Sequence, residues 1–468
     1  MTLTSEAPTS SAGDRLLRTE LSAGDTVYRH ELSGPDIDAI TAAALLRGSG
    51  RIMLSADGSR LDTPSLLAVG ELAVCGRERP DYASADPIAV AVDFLAVLDF
   101  AGAVAPEERC WFGCLGYDAV SDFELLSLRG GDVPTYDFFL PEVLVRFDSR
   151  GTTVIGRGAS ASAARRAAER AHQVLRRGGS AQLSMPDVGA GGFVSDVDEY
   201  VDAVYRAKEH ILAGDVFQVV LSVRYRASGT ADGLTLYRRL TEFNPSPYHF
   251  WYRGEDFEVV GASPEPCVSM ADRTVSIRPL AGTRPRGADA AADRLAEREL
   301  VSSDKELAEH RMLVDLARND LGRVCVPGSV QVPRLMAVER YSHVMHLTSD
   351  VVAEMRAGLR ATDVIRATFP AGTMTGAPKL RAIEIINELE PVGRELYSGA
   401  VGCFGVDHID LFLVIRAIML RLGELHLQAG GGIVYDSDPL AERAEAVAKL
   451  RAGARASGIS LNLGGETA

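Results

Sequence analysis

The sequence of 468 residues lacks the features that mark exported or membrane-spanning proteins. Its first dozen residues contain neither a basic segment nor an apolar run, so they predict no signal peptide. No run of apolar residues approaches the roughly eighteen in succession that a membrane-spanning helix needs. We therefore expect a soluble protein of the cytosol.

Cysteine is scarce, and the six that occur are scattered without a close CxxC pair or accompanying histidines. This pattern argues against a zinc site and against a disulfide framework. The cysteines are Cys75, Cys110, Cys114, Cys267, Cys325 and Cys403.

Positive charge is also in deficit, because 49 Lys and Arg face 64 Asp and Glu, for a net charge of −15. The sequence has no basic run that could follow a phosphate backbone. Both observations argue against nucleic-acid binding.

Residues 304–324 predict a helix that carries carboxylates where a globular helix should carry only carbon. At about 100° per residue, Glu306 and Glu309 fall on the same arc as Leu313 and Ala317. Burying an ionised carboxylate without a partner costs several kcal/mol, so each should be neutral or face a cation. The arc therefore marks a candidate site.

A second predicted helix, within residues 436–455, repeats this pattern by placing Glu442, Glu445 and Lys449 on one arc. Any single pair of glutamates three residues apart is also typical of a solvated helix face. Two pairs, both on the apolar side, favour a shared pocket. If the helices meet, the pocket could hold magnesium, which takes one or two carboxylates and keeps room for water and a substrate oxygen.

Three segments differ in texture along the chain. Residues 1–155 alternate short apolar runs with turn signals and predict mainly strands. Residues 156–193, rich in Gly, Ala, Ser and Arg, predict a connection with one helix followed by loose chain. Residues 194–468 predict longer elements, including one strand around residues 329–355 and one over 411–420. Runs of strands with interposed helices predict an α+β fold with largely antiparallel sheet.

A set of short motifs recurs in order through residues 196–455. Taken together they resemble the chorismate-utilising enzymes, most closely component I of anthranilate synthase, and the resemblance continues more thinly through MLSADGS, WFGCLGYDAV and DFFLPE. The dense motifs are FQVVLS, NPSPY, GASPE, PLAGTRPRG, KELAEHRMLVDLARND, RYSHVMHL, FPAGTMTGAPKLRA, LYSGAVG, VIRA and QAGGGIVYDSDP.

This resemblance implies an antiparallel β-sandwich-like core wrapped in helices around one magnesium-dependent active site. It assigns Glu309 and Glu445 as magnesium ligands, with Glu306 and Glu442 beside them completing the acidic ring or ordering its waters. Residues 1–155 would be the regulatory-type N-terminal part, and residues 194–468 the chorismate-binding catalytic part.

The same matching assigns substrate-binding residues. Arg416 and Tyr397 resemble the residues that hold the enolpyruvyl carboxylate, with backbone amides exposed at Gly430 and Gly432. A structural ion pair is the other interpretation of Arg416, and a β-bulge that of the glycines. The expected contacts to further substrate oxygens come from Thr283 and Lys449.

Two catalytic residues follow from the resemblance. Glu265, in GASPE, looks like the general acid that protonates the departing hydroxyl at ring carbon 4, which requires a carboxyl that keeps its proton near neutral pH. His346 matches the histidine implicated in the later loss of pyruvate. A lone histidine is more often structural, so the assignment depends on the motif around it.

Two positions indicate what attacks the ring. Relatives that use water carry a lysine base where this chain has Gln218, and an amide does not accept a proton usefully, so we expect ammonia as the nucleophile. Aminodeoxychorismate synthases carry a nucleophilic lysine where this chain has Ala281. We therefore expect ammonia to add directly at carbon 2.

A third comparison concerns feedback. Tryptophan-inhibited relatives use an LLES motif and an NPSPY turn. Here the turn is intact, including Asn244, Pro247 and Tyr248, but the first motif ends in Leu54 and Ser55 and lacks the acidic residue. Losing that partner of the tryptophan amino group should cost about 2 kcal/mol. We predict a degenerate effector site.

The expected product is 2-amino-2-deoxyisochorismate, converted to anthranilate by loss of pyruvate, and release of the aminated intermediate for a specialised pathway is the alternative. No GxCxG glutaminase signature occurs, so we expect ammonia from a separate glutamine amidotransferase subunit. A non-catalytic regulatory subunit is the rival of another class, and it should lack catalytic carboxylates such as Glu265, Glu309 and Glu445.

Overall fold

The computed structural model describes residues 17–19, 21–48, 50–57, 65–77, 87–101, 104–179, 183–341 and 344–461. The expectation drawn from the first dozen residues falls outside them. In the described part, no helix combines the length and the apolar character needed to cross a membrane.

The strands run through the whole described chain. They are β1 (Leu17–Thr19), β2 (Thr26–Ser33), β3 (Ile52–Asp57), β4 (Ser65–Val69), β5 (Ala73–Arg77), β6 (Asp99–Phe100), β7 (Trp111–Leu115), β8 (Tyr136–Leu140), β9 (Val143–Asp148), β10 (Gly151–Gly158), β11 (Asp187–Phe193), β12 (Gln218–Thr230), β13 (Tyr248–Arg253), β14 (Phe257–Ser263), β15 (Pro266–Ala271), β16 (Thr274–Ile277), β17 (Leu280–Pro285), β18 (Gln331–Arg340), β19 (Val344–Glu354), β20 (Gly376–Ala377), β21 (Ala400–Phe404), β22 (His408–Leu413), β23 (Ala417–Arg421) and β24 (Glu424–Ile433).

The helices lie between these strands. They are α1 (Ala39–Leu46), α2 (Pro87–Ala96), α3 (Ala161–Arg177), α4 (Val197–Ala213), α5 (Gly233–Phe243), α6 (Ala290–Ser302), α7 (Asp304–Gly322), α8 (Ala361–Thr368), α9 (Lys379–Leu389) and α10 (Pro439–Ser457), with short 3-10 helices at Pro106–Arg109, Tyr117–Asp122 and Gly372–Met374.

Local sequence explains where the longest helices begin and end. Asp196 caps α4 by accepting a hydrogen bond from the Glu199 backbone N–H, and Asp438 caps α10 in the same way. Pro439 occupies the first turn of α10, where its missing N–H costs nothing. Gly458 ends that helix in the left-handed conformation, which glycine adopts without strain.

Two sheets form the centre of the fold. The first follows the order β1-β5-β8-β7-β21-β22-β15-β16-β19-β17, with β18 beside β19. The second follows β11-β12-β24-β23-β14-β13-β3-β4-β9-β10-β2-β6, with β20 beside β12. Of the described pairings only β2 with β6 is parallel.

The apolar clusters show how the layers stack. One cluster takes residues from both sheets, including Phe112, Phe139, Phe250 and Phe412, and so fills the space between them. A second packs α3, α4, α5, α9 and α10 on the outer face of the second sheet, and a third packs α2, α7 and α8 on the first. The predicted α+β sandwich wrapped in helices is confirmed.

Both sheets take strands from residues 1–155 and from residues 194–468. The predicted three-part division of the chain therefore does not correspond to a division of the sheets, and it stays a description of the sequence.

Three predictions of local structure are corrected. The loose chain expected at the end of residues 156–193 includes the strand β11, because β12 offers a row of backbone groups with which even a glycine-rich segment can pair. The strand expected around residues 329–355 is the hairpin β18–β19. The strand expected over residues 411–420 breaks between β22 and β23, where Arg416 has a left-handed φ of 51°.

Candidate active site

The first half of α7 carries one carboxylate pair toward the edge of the first sheet. The Nη1 of Arg284 lies 3.0 Å from the Oε1 of Glu306. A Cβ on Gly282, whose φ is +61°, would come within 3.0 Å of the other Glu306 oxygen, so glycine meets both a backbone and a space requirement there. Glu306 is thus partnered by a cation, as the helical arc required.

The first half of α10 carries the second pair. Ser437 donates a hydrogen bond of 2.7 Å to Glu442, which is buried. The ammonium of Lys449 lies 2.8 Å from the Oε1 of Glu445 and donates to the Gly430 carbonyl at 2.8 Å. Glu445 is 59 % exposed, so the prediction that both glutamates lie on the apolar side of this helix holds for Glu442 and is wrong for Glu445.

Gln218, the first residue of β12, lies between α7 and β24, the strand that precedes α10. Its Nε2 donates a 3.2 Å hydrogen bond to the Oε1 of Glu309 on α7. A Cβ on Gly432 would lie 2.1 Å from the same Nε2, while Gly431 lies beneath Glu442 and Glu445. The buried Oε1 of Gln218 has no hydrogen-bond partner among the described residues. The site therefore offers a hydrogen-bond acceptor to a bound molecule.

Arg416 faces the same site from the break between β22 and β23. Burial lowers the pKa of its guanidinium, and the neighbouring Tyr397 and Glu445 oppose that shift. No ion pair of Arg416 is present in the part of the chain that the structure describes. A half-buried cation in a strained backbone conformation, with Glu445 nearby but no ion pair to a described residue, is typical of an anion-binding position rather than of a structural pair.

Tyr397 is held in place beside Arg416. Burial raises the pKa of its phenol to about 12, with Arg394 opposing the shift. The Arg394 guanidinium lies 5.6 Å from the centre of the Tyr397 ring. The phenol therefore keeps its proton at neutral pH and can donate a hydrogen bond.

Glu265 lies between β14 and β15 and is 6 % exposed. Burial raises the pKa of this carboxyl to about 8, and the nearby Thr373 hydroxyl and Leu280 backbone N–H offset the effect only in part. At pH 7 the side chain is mostly protonated, as a general acid must be.

His346 and Thr283 are opposite residues in the pairing of β17 with β19. The Thr283 hydroxyl lies 2.9 Å from the Nδ1 of His346. Burial lowers the pKa of His346, with Arg416 acting in the same direction, so its imidazole is neutral at pH 7. Thr283 itself is exposed, so its contact with the histidine is clearer than any contact with a small molecule.

Several of the predicted site residues are linked to one another, whereas the polar contacts of the buried Glu265 are with Thr373 and Leu280. Contacts and close approaches join Glu309 to Gln218, Gln218 to the glycines of β24, and those glycines to Glu445 and Lys449. Electrostatic contacts then join Glu445 to Arg416 and Arg416 to His346.

The carboxylates have the donor atoms that magnesium prefers, but they are not arranged as a closed metal site. The oxygen donors come from α7 and α10, and magnesium needs only one or two of them because it keeps waters. In the described residues, however, these oxygens form no group of three or more within 4.8 Å of one another. Cationic and hydroxyl partners hold them apart, so the donor set fits the metal and would have to close on it.

The predicted effector residues also meet, through the pairing of β3 with β13. Leu54 is fully buried in the core opposite Trp251, and Ser55 is opposite Phe250. Tyr248 stacks on Phe412, with ring centres 4.7 Å apart. Asn244 donates to the Ala262 carbonyl at 3.4 Å, and Pro247 is buried.

The sequence did not reveal a buried polar network beneath Tyr397. Glu390 accepts hydrogen bonds from Arg394 at 2.7 Å and from the Ser222 hydroxyl at 2.7 Å. Gln428 joins Ser222 to Arg224, which pairs with Glu395 at 3.0 Å. The glutamate and arginine four residues apart in ELEPVGREL were the available signal.

The lysine of the GTMTGAPK loop has a structural position. Lys379 pairs with Asp320 at 2.7 Å, and both side chains are at most 9 % exposed. It also donates to the Thr368 carbonyl at 3.1 Å. The loop thus joins α9 to the end of α7.

The expectation that no histidine accompanies the cysteines is wrong. Cys110, Cys403 and His408 offer ligand atoms that all lie within 4.8 Å of one another. All six cysteines are buried, and none of them forms a disulfide within the described residues.

Comparison with known proteins adds to this geometry. The family model described as chorismate binding enzyme matches residues 63–455. Anthranilate synthase component 1 of Streptomyces coelicolor is 46 % identical over 363 residues, which cover 73 % of this chain and 71 % of that protein. The Pseudomonas putida protein of the same name is 52 % identical over 277 residues, and this chain spans only 56 % of its length.

A solved structure, anthranilate synthase component I from Streptococcus pneumoniae TIGR4, superposes with a TM-score of 0.71. Its sequence identity is 28 %, and the match covers 95 % of each chain. The likeness therefore extends over both sheets and both carboxylate helices.

Proposed function

Because this chain belongs to the chorismate binding enzyme family, we propose that it is an ammonia-using chorismate aminase of the anthranilate synthase component I type. The observation that carries the proposal is the position of Gln218. Its amide contacts Glu309, a proposed metal-ligand carboxylate, and supplies a buried acceptor but no amine. An amide cannot deprotonate water usefully, whereas an N–H of ammonia can donate to it.

Binding of the substrate rests on its two carboxylates. Arg416 would form charge-assisted hydrogen bonds to the enolpyruvyl carboxylate, and the protonated phenol of Tyr397 would add a third donor. Gly430 and Gly432 would bring backbone amides to the same group, and Lys449 would contact a further oxygen. Magnesium, when held by Glu309 and Glu445 with Glu306 and Glu442 around them, would neutralise the ring carboxylate.

The chemical step needs one proton donor. Glu265 would give its proton to the hydroxyl on ring carbon 4, which leaves as water while ammonia forms a bond to carbon 2. Its pKa of about 8 keeps the proton available at neutral pH. The product of this step is 2-amino-2-deoxyisochorismate.

The second step would be the elimination of pyruvate to anthranilate. His346, neutral at pH 7 and oriented by Thr283, is the residue positioned to assist it. Release of 2-amino-2-deoxyisochorismate for a specialised pathway is the second candidate, favoured by the core position of Leu54, which leaves no carboxylate for tryptophan feedback.

The ammonia would come from a separate glutamine amidotransferase subunit. The name component 1 of the relatives is consistent with a second component, and this sequence has no GxCxG motif. A purely regulatory role would leave the proton on Glu265 and the unpaired Arg416 without a purpose.

The test incubates the purified chain with chorismate, magnesium and ammonium. Anthranilate fluorescence with stoichiometric pyruvate would indicate the full reaction, and an ammonia adduct without pyruvate would indicate release of the intermediate. Formation of isochorismate in place of both, or no turnover of chorismate at all, would refute the proposal.

A further inference from the structure

A second cluster of ligand-type side chains lies at the turn between β21 and β22. Cys110 follows the 3-10 helix at Pro106–Arg109, Cys403 lies in β21, and His408 begins β22. The sulfur atoms of both cysteines and a ring nitrogen of His408 all lie within 4.8 Å of one another. Nothing in the proposed reaction uses these residues.

Strand pairing fixes the cluster. Phe404 pairs with Trp111 on one side and with Ile409 on the other. These pairings bring together the residues that precede them in the chain, which are Cys403, Cys110 and His408. The Gly405 N–H donates to the His408 carbonyl at 2.7 Å. A Cβ on Gly405 would lie 3.1 Å from the Cys110 sulfur, so the glycine leaves room for the thiol. The three side chains are thus arranged by rigid elements.

The surroundings are buried on one side and open on the other. Cys110 is fully buried and Cys403 is 5 % exposed, whereas His408 is half-buried and so gives access from solvent. Two carboxylates, those of Asp410 and Glu107, lie close enough to His408 to influence it. Two potential thiolates and an imidazole, with carboxylates nearby, are the ligands that zinc prefers.

We propose that Cys110, Cys403 and His408 bind one zinc ion, with the fourth position taken by water or by the Asp410 carboxylate. Tetrahedral ligands at about 2.0–2.3 Å from zinc lie roughly 3.3–3.8 Å from one another, so the cluster needs to contract by only about 1 Å. Each thiol gives up its proton when it binds.

The site would be structural. Ala400, at the end of β21 nearer to Tyr397, is four residues from Phe404. At the rise of an extended strand this separates the cysteine cluster from the proposed active site by roughly 13 Å. A zinc ion there would not contact the substrate. It would cross-link the segment before β7 to the β21–β22 hairpin, which is distant in sequence. Its effect should therefore appear in stability and not in turnover.

The experiment titrates the reduced, metal-free protein with cobalt(II) in excess magnesium and records the absorption spectrum. Cobalt bound by thiolates gives a near-ultraviolet charge-transfer band and visible bands of tetrahedral type, which carboxylate oxygens do not give. We expect one equivalent of cobalt per chain, displaced by zinc. Cys403→Ser and His408→Gln should weaken or remove these bands, whereas Cys325→Ser, at a buried cysteine elsewhere, should keep them.

Thermal unfolding supplies the second measurement. Zinc should raise the melting temperature of the wild-type and Cys325→Ser proteins and leave that of Cys403→Ser unchanged. Wild-type protein that takes up no cobalt with thiolate bands overturns the proposal, as does equal loss of the bands in Cys325→Ser. A Cys110–Cys403 disulfide in reductant-free protein, found by mass spectrometry together with no cobalt uptake after reduction, would identify a redox pair instead.

Discussion

The two ends of the β21–β22 hairpin present opposite chemistry. Near Tyr397 and Arg416 the protein gathers oxygen donors and cations, whereas at the turn it gathers sulfur and nitrogen donors at the edge of the inter-sheet core. The carboxylates are kept apart by partners such as Arg284 and Lys449, while the cysteines are already within reach of one ion.

The difference follows from solvation. Carboxylates are expensive to bury, so a site built from them stays open and partnered until a metal and a substrate arrive. Thiols are inexpensive to bury, so their cluster forms as part of the core and needs no occupant to be stable. In the two proposals, the first end would serve turnover and the second would serve stability.

The largest effect on kcat is expected from Glu265→Gln, which changes the proposed active site and leaves the cysteine cluster intact. The amide matches the protonated acid in shape but cannot give up a proton, so kcat should fall by about 10²–10⁴-fold with little change in melting temperature. Glu258→Gln, at a half-buried glutamate of β14 that accepts a hydrogen bond from Trp251, is the matched control. Cys403→Ser should keep kcat. Retention of wild-type kcat in Glu265→Gln would remove the proposed acid.

Glu309→Gln should weaken magnesium binding at the proposed active site without changing metal binding at the cysteine cluster. We expect the magnesium concentration for half-maximal rate to rise by at least the roughly 10–100-fold that losing an outer partner of a metal costs. Cobalt uptake at the cysteines should be unaffected. Asp315→Asn, an exposed residue further along α7, is the control, and an unchanged magnesium dependence in Glu309→Gln would contradict the assignment.

Gln218→Lys tests the identity of the nucleophile. A lysine there would replace the amide beside Glu309 and, in its neutral form, could act as a base toward water, so the rate of amination should fall at least about tenfold, or about 1.4 kcal/mol in barrier. Product analysis should detect a hydroxylated product. Gln331→Lys, at an exposed position of β18, should leave amination unchanged. Undiminished amination in Gln218→Lys would show that the amide is not needed.

The pH dependence of the rate should report Glu265. Its carboxyl is protonated below its pKa of about 8, so proton donation persists at pH 7 and is lost as the pH rises through that value. The limiting slope of log kcat should be about one decade per pH unit. A flat profile between pH 7 and 9 would argue against this donor.

The smallest expected effect is that of tryptophan. Because Leu54 is fully buried and supplies no carboxylate, micromolar tryptophan should leave the rate unchanged in the purified enzyme and should show no heat of binding in calorimetry. Strong inhibition would mean that another residue partners the amino group.

Some features of the fold and site follow from local sequence. Asp196 and Asp438 cap α4 and α10 where these helices begin, and the spacing of Glu306, Glu309, Glu442 and Glu445 predicted a shared pocket. Such inferences need only the fact that a helix brings residues three and four apart to one face whatever surrounds it, and the shared pocket stays a prediction.

Other features were decided only by distant pairing. The break at Arg416, the strand β11 and the approach of Cys110 to Cys403 each depend on which strand lies alongside, and strand neighbours are not encoded in local periodicity. The sequence by itself thus determined which residue types the protein has for catalysis and where its helices start. The tertiary structure decided which of them meet, because the backbone bonds of a sheet join segments far apart in the chain.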